Sequence, residues 1–515
     1  MFVVLLSGGS GERLWPLSNV SRSKQYIRLL DGPNGAPQSM VQRVYGQLTR
    51  AGLAEKCILC AGVAQLESIA AQLGAVRVAV EPQRRNTFPA VLLSCAFLKS
   101  YWGAGEEDVV CILPVDPYTD DSYFSTLWAL PEALDASGME VALMGKTALE
   151  PSAKYGYILT GPSRHGFMPV RAFEEKPKLE RARALAAEGA LVNLGVFCFR
   201  LGDMLRRAEA YGVPTDYDGL CACYERLPRI SFDREVMEKG ARSVVVPFSG
   251  PWQDLGTWDA LTAVVSCRAV GHAMLDEDSE DTHVVNETKI PVVVSGAKNM
   301  VIVASYDGIL VADKGRTAAL TRLPIPRHAH PMYEERAYGT VKVLDSPPEG
   351  AKDGATIRKL ELLAGHNTGY CAHARWQKTW VLLSGEVTWM VDDALDTPTA
   401  GGSIRIPIGA GFALAARTDA ALLEINAGGM DGEETIVPIA DWAEFLDAYC
   451  ARKPREAMVG DRAIPPRQRS ASKGPCAALE PLPNGSLPCR RFAGGSRWVG
   501  RTSGMRIFQP YFRRG

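Results

Sequence analysis

No stretch of the 515-residue sequence approaches the ~20 consecutive apolar residues needed to cross a bilayer, and the opening MFVVLL reaches Gly8 and Gly9 too soon for a signal peptide. A membrane partner is therefore not expected, and the chain is placed in the cytoplasm. Cysteine is sparse: 12 residues are too dilute for a disulfide scaffold, and Cys95, Cys111 and Cys198 lie inside apolar runs where cysteine packs as a small hydrophobe. Cys57 and Cys60 form a lone CxxC within CILCAGV; without a second pair at zinc spacing it reads as a buried strand. Net charge is also nearly absent, at −1, but it is unevenly spread. Residues 451–515 carry 14 Lys and Arg against 3 Asp and Glu, an excess of 11 that leaves −12 on the rest. Pro, Gly and Ser are scattered through this basic tail without a sustained period, so it reads as disordered. Its aromatics are not interleaved with its cations, so no nucleic-acid partner is expected.

What is present is globular. Apolar residues at 46% and charged residues at 22% exclude wholesale disorder, collagen and coiled coil, and the length allows three or four folded units. Continuous apolar runs at 2–6, 56–62, 76–82, 108–116 and 141–146 read as buried strands, and helix-length segments such as 38–51 and 89–102 lie between them. That alternation predicts an α/β fold with a mostly parallel sheet, which binds ligands at the carboxyl ends of its strands. After Asp259 the pattern changes to short β-rich pieces. A Pro-rich hinge, Pro324-Ile325-Pro326, precedes another β-rich region from about Tyr338 to Asn426, and DWAEFLDAYCARK is a closing helix candidate.

Gly8-Gly9-Ser10-Gly11-Glu12-Arg13-Leu14 directly follows the first strand, and its glycines let backbone N–H groups converge on an anion. It is not Walker A, because no Gly-Lys-[Ser/Thr] closes it, and Leu14 stands where a dinucleotide fingerprint needs its third glycine. A tight strand-to-helix turn would need the glycines but not the charges of Arg13 and Lys24. The longer segment GGSGERLWPLSNVSRSKQ resembles the opening signature of the sugar-1-phosphate nucleotidyltransferases. With Trp15 and Lys24-Gln25 it is similar to their mannose-1-phosphate guanylyltransferase branch.

The resemblance implies a Rossmann-like nucleotidyltransferase fold of the GT-A type over residues 1–265. It then implies a short left-handed β-helix-like extension at 266–325, a cupin-like β-barrel at 326–450, and the tail at 451–515. By the same resemblance, Leu6 and the loop from Gly8 to Glu12 hold the nucleotide. Arg13 grips its phosphates and Lys24 neutralises charge at the reacting phosphate. Arg85, Asn86 and Thr87, in an EPxxRNTxPA-like segment that has Phe88 where Ala is usual, lie against the guanine base. Asn86 or Thr87 could alternatively cap the helix that follows. Asp116, at the end of an apolar strand, and Asp254, in PWQDLGTW, would hold Mg²⁺, a hard cation that prefers oxygen ligands. Pro117 replaces the His usual after the first Asp motif. Gly156, Glu175, Lys176 and Asn193 resemble the sugar-phosphate-binding elements.

These resemblances follow one another in the expected order along the first 260 or so residues. The implied reaction joins GTP and mannose 1-phosphate into GDP-mannose with release of pyrophosphate, in a homo-oligomer, a dimer, packed through the β-rich extension. Another nucleotide or hexose 1-phosphate, or a catalytically silent regulatory subunit, are the alternatives. In the cupin-like region the expected HxH pair reads His373-Ala374-Arg375, the expected Glu falls at Lys378, and a third histidine is Phe412. A Lys in place of a carboxylate puts positive charge where a divalent cation would sit, so neither a metal nor isomerase activity is expected there. His328 and His330, between Pro326 and Pro331, read as linker residues.

Overall fold

A computed structural model describes residues 1–450 except 10–11, 34, 149, 164, 326–329, 349–353, 374–375, 393, 428–434, 438 and 440–441. The apolar runs become strands of one nine-stranded sheet: β1 (Phe2–Leu6), β2 (Cys57–Gly62), β3 (Val78–Glu81), β4 (Val109–Pro114), β5 (Val141–Thr147), β6 (Tyr157–Thr160), β7 (Met168–Glu174), β8 (Leu191–Arg200) and β9 (Ser243–Pro247). Their order is β3-β2-β1-β4-β8-β5-β9-β7-β6. β1 pairs in parallel with β2 and β4, β2 with β3, and β5 with β9. β8 runs against β4 and β5, and β7 against β9 and β6, so these two oppose the other seven. The expected direction therefore dominates, with two reversals.

The reversals gather the functional sequence. Because β8 is antiparallel to β5, its start lies beside the end of that strand, with Asn193 in register with Gly145, while Val192 pairs with Tyr157 at the start of β6. Glu174, the last residue of β7, also pairs with Tyr157. Gly156, Glu175 and Asn193 thus meet at one corner although the chain separates them widely.

Alternation along β1 divides the interior, with Phe2 and Val4 facing one helical layer and Val3 and Leu5 the other. Helix α1 (Met40–Arg50) begins with a Ser39–Gln42 capping box, and α2 (Leu66–Leu73) follows β2. Helix α3 (Thr87–Trp102) is apolar all round and buried from Phe88 to Leu98, as a helix enclosed in a core must be. Cys57 and Cys60 are buried within β2, and burial pushes both thiols up, away from the reactive thiolate.

Beyond Trp258 the short strands stack as a coil. Ala269–Gly271, His283–Asn286 and Met300–Ser305 pair in parallel, as do Ala273–Leu275 and Val292–Val294, and Gly308–Asp313 turns back on Met300–Ser305. Two antiparallel sheets follow, of six strands (within 333–427) and five (within 370–437). Trp380, Trp389, Phe412 and Leu414 are packed between them. Residues 1–438 belong to one compact unit, while the helix Trp442–Cys450 belongs to another that begins at Ile439. Among the described residues no helix is long and apolar enough to cross a membrane. His328 and the 451–515 tail lie outside the described residues.

Candidate functional site

The carboxyl ends of β1 and β4 carry the first cluster. Asp116 follows β4, and Lys24 reaches it with Nζ–Oδ2 at 2.5 Å. Asp254 arrives from elsewhere: strand Trp252–Asp254 pairs with Pro117–Thr119 so that Asp254 stands opposite Pro117, and Leu255 N–H donates to the Asp116 carbonyl at 3.2 Å. The two carboxylates expected to share a cation are therefore neighbours.

Their electrostatics differ. Burial pushes the Asp254 carboxyl up and the nearby Asp116 charge pushes it further. Burial acts the same way on Asp116, but the Lys24 ammonium outweighs it and holds that carboxyl below the usual range. Lys24 is in turn raised, because the attraction of Asp116 and Asp254 exceeds its own desolvation. Arg13 is exposed and near enough for its charge to act on all three. Asp254 Oδ1 is buried without a hydrogen-bond partner. A buried carboxylate oxygen left unsatisfied beside a second carboxylate fits a divalent hard cation. No group of three or more His, Cys, Asp or Glu suited to a metal occurs among the described residues. Such an ion would complete its shell with water and substrate oxygens, as Mg²⁺ usually does.

Lys24, Asp116, Leu6, Gly8 and Thr87 line an open cavity of about 240 Å³. Gly8 borders Glu81: a Cβ at this glycine would stand 3.5 Å from Glu81 Oε2. The other oxygen, Oε1, accepts from Tyr224 Oη at 2.7 Å and from Arg85 N at 3.3 Å. Ser10 and Gly11 lie outside the described residues, and so does the Glu12 side chain. The EPxxRNT-like segment is tied into the scaffold. Arg85 Nη1 donates to the Leu227 carbonyl at 2.6 Å, Asn86 caps α3 at φ +73° through Thr87 N, and Thr87 Oγ1 accepts from Phe232 N at 2.8 Å. The capping alternative for Asn86 is thus the arrangement seen, with Thr87 still facing the cavity.

The second cluster surrounds Glu175. Its carboxylate is buried and accepts from Lys176 Nζ at 2.6 Å, and its backbone N–H donates to Glu238 Oε1 at 2.8 Å. Gly156 is required here, because a Cβ would come within 2.7 Å of Glu175 Oε2 and 3.1 Å of the Phe173 ring. Asn193 N–H donates to the Gly156 carbonyl at 2.9 Å, and Asn193 Nδ2 donates to Asp233 Oδ1 at 2.9 Å. Asp233 opens a π-helical turn, Asp233–Met237. Burial, reinforced by the charge of Glu175, pushes its carboxyl up to about 6. Asn86, Glu175, Lys176, Arg229, Ser231 and Arg234 line a second cavity of about 300 Å³. The two cavities share a wall, since consecutive residues Asn86 and Thr87 face one each, as do Asp233 and Arg234. Sequence reasoning misses Asp233 and Glu238: FDREVMEKG reads as an ordinary charged helix start.

In the sandwich, Lys378 Nζ lies 3.1 Å from Glu424 Oε2 and 4.5 Å from the centre of the Phe412 ring. Glu424 also pairs with Arg358 and accepts from Trp380 Nε1 at 2.8 Å. Burial would raise its carboxyl, but these cations hold it far below the usual range. Ala374 and Arg375 lie outside the described residues.

Residues 2–267 match the family model described as "Nucleotidyl transferase". A mannose-1-phosphate guanylyltransferase of Escherichia coli K12 is 26% identical over 486 residues, covering 86% of this chain and 98% of that one. The alginate biosynthesis protein AlgA of Pseudomonas aeruginosa is 28% identical over 478 residues, covering 86% and 96%. Among solved structures, one titled a mannose-1-phosphate geranyltransferase from Thermus thermophilus superposes with a TM-score of 0.52 at 30% identity. It spans 62% of this chain and 97% of its own.

The raised Asp233 carboxyl has a measurable consequence. Its folded value of about 6 lies above the ordinary 3.8, so the native state binds this proton more tightly than the unfolded chain does. Its contribution to stability is therefore complete below about pH 4 and lost as pH rises through about 6. Urea unfolding from about pH 4 to about pH 7.5 should show this loss in the wild type and not in Asp233→Asn; parallel profiles would refute the assignment.

Proposed function

The chain belongs to the nucleotidyl transferase family, and from that premise we propose that it forms GDP-mannose and pyrophosphate from GTP and α-D-mannose 1-phosphate. The observation that carries this reading is the convergence of Lys24, Asp116 and Asp254 at the end of β4, beside a second cavity holding Glu175 and Lys176. The names of the full-length relatives support the same substrates.

In the proposed reaction an oxygen of the sugar phosphate attacks the α-phosphorus of GTP in line. The new P–O bond forms as the bond to the bridging oxygen breaks, and pyrophosphate leaves with the bonding electrons. The attacking phosphate is already ionised at neutral pH, so no general base is needed. The protein's task is to hold two polyanions together against their repulsion. Arg13 and Lys24 supply positive charge at the nucleotide, and Lys176 supplies it at the sugar phosphate. Glu175 and Asn193, held by Gly156 and Asp233, accept from and donate to sugar hydroxyls. Mg²⁺ held by Asp116 and Asp254, when bound, would neutralise charge developing on the phosphates.

Base choice is assigned to Glu81 in this reading. Guanine presents N1–H and N2–H donors on one edge, which a carboxylate oxygen facing Gly8 would accept; uracil and thymine lack that pair of donors. The parallel coil at 269–305 is read as a short left-handed β-helix, and the sandwich as a cupin whose metal position is taken by the Lys378–Glu424 pair, without isomerase activity. Met274 and Val293 are in-register neighbours, and both are exposed on the coil together with Ile309 and Val311. Exposed apolar side chains on this coil support a homodimer.

With GTP and mannose 1-phosphate, Lys24→Ala should lower kcat by about two to three orders of magnitude, the scale of losing one electrostatic group at a reacting centre. Asp254→Asn should raise the Mg²⁺ concentration needed for half-maximal pyrophosphate release. Wild-type behaviour of both variants would refute the assignment, and a wild-type chain that releases no pyrophosphate would favour the silent regulatory subunit. Glu81→Gln should narrow the GTP over UTP preference in kcat/KM by roughly tenfold to a hundredfold; an unchanged ratio places base recognition elsewhere. Sedimentation velocity should report a dimer that Val293→Glu dissociates, an expectation that a monomeric wild type would refute.

A further inference from the structure

The segment that delivers Lys24 has little structure of its own. Between Trp15 and Arg28 its only helical element is the short turn Lys24–Tyr26, and its local backbone bonds are a few turn contacts such as Asn19 N to the Arg22 carbonyl. A loop of this kind takes its position from what it touches. On one side it touches Ser7, the residue after β1: Gln25 Nε2 donates to the Ser7 carbonyl, and Tyr26 Oη lies 2.5 Å from Ser7 Oγ. Its remaining anchors include a set contributed by residues more than 250 positions away.

Arg22 is the centre of that set. Its guanidinium is buried, donates to the Leu17 carbonyl through Nε and Nη2, and forms a two-pronged pair with Glu287 at 3.0 and 2.8 Å. It also lies 4.3 Å over the Tyr333 ring. The pairing outweighs desolvation and raises its proton affinity further. Asn19 does two jobs: Oδ1 accepts from Ser21 N and Arg22 N to close the turn, while Nδ2 donates to Asp307 Oδ2 and the Tyr333 carbonyl. At the far end Arg28 pairs with Glu335 at 2.6 Å, and Gln72 Nε2 ties the Tyr26 carbonyl to the same carboxylate. Ser305 Oγ donates to the Pro16 carbonyl, and Trp15 packs so closely on Gly308 that a Cβ there would be 2.5 Å from the indole.

We infer that Arg22 and Glu287 form a positioning pair, by which the C-terminal half of the chain holds the Lys24 loop in register with Asp116 for phosphoryl transfer. The inference rests on the proposed role of Lys24. A buried two-pronged Arg–carboxylate pair fixes direction as well as distance, which an exposed ion pair does not. Arg22 is two residues from Lys24, so a shift of the guanidinium moves the ammonium. A misplacement of about 1 Å is enough to depress transfer roughly a hundredfold. The coil and the sandwich are then part of the catalytic apparatus without touching substrate.

The test is a double-mutant cycle in the full-length chain, reading pyrophosphate release from GTP and mannose 1-phosphate with Mg²⁺. Glu287→Gln should lower kcat by about tenfold to a hundredfold with KM for GTP changed less. Glu287→Asp should restore part of the loss. In a Lys24→Met background Glu287→Gln should have almost no further effect on kcat, because the group it positions is gone. Multiplicative losses, or wild-type kcat in Glu287→Gln, would overturn the inference. If circular dichroism shows that Glu287→Gln does not fold, Arg22→Lys, which keeps the charge but not the two-pronged contact, replaces it in the same cycle with the same two criteria. Wild-type kcat in Lys24→Met alone would instead remove the reading of Lys24, and this inference with it.

Discussion

Two carboxylates brought side by side and half-buried repel each other, and that repulsion sets the charge balance at the end of β4. Asp116 and Asp254 are placed together by backbone pairing, which neither side chain can escape. Each ionised group must be compensated or remain protonated. Lys24 compensates one of them, which explains why the Asp116 carboxyl falls while that of Asp254 rises. Asp254 forms no ion pair among the described residues and feels the charges of Lys24, Arg13 and Lys154 at a distance. In the proposed reaction two phosphate groups at this rim would add negative charge, which Arg13 and Lys176 would offset.

The second half meets the same physical problem with a different solution. In the sandwich a buried carboxylate, Glu424, is satisfied by two cations and an indole N–H from its own chain. A buried ion pair of this kind contributes little net stability but is strongly destabilising when one partner is removed. It therefore ties three neighbouring strands of one sheet together through their side chains. One end of the chain leaves its acid pair incompletely compensated and the other closes the circuit internally. The two clusters differ in burial as well, since the Asp116 side chain is 28% exposed and that of Glu424 only 2%.

The parts of this logic readable from sequence are those in which one short segment carries both a structural and a chemical constraint. The run DVVCILPVD announces a buried strand ending in a carboxylate, and the glycines before Arg13 announce a turn with room for an anion. CILCAGV is legible as a strand because no second cysteine pair competes with packing. Asp254 is different: nothing local in PWQDLGTW says that it will pair with Pro117, and only the resemblance brings it to Asp116. Asp233 and Glu238 are not legible at all, because their significance lies in facing Asn193 and Glu175 across a strand reversal. The two reversed strands likewise follow from no periodicity, since an apolar run fits either direction. Arg85 and Asn86 show the opposite limit: the motif marks the segment, but not that Arg85 donates to the Leu227 carbonyl and that Asn86 caps α3.

Arg22 and Glu287 make the general case. They are separated by 265 positions, and nothing in SNVSRSKQ or NETKI points from one to the other. Their meaning comes from the lack of regular structure around Lys24. A loop without a ladder or a long helix has few backbone bonds to fix it, so its geometry must be borrowed, and a buried guanidinium fork is a stiff way to borrow it. Stiffness is what phosphoryl transfer demands, because the protein forms no bond to substrate and contributes through placement of charge. If Lys24 is the cation proposed here, the irregular loop that carries it gives the chain a reason to retain the coil and the sandwich that hold it. In that view the C-terminal half is kept for the surface it presents to residues 15–28.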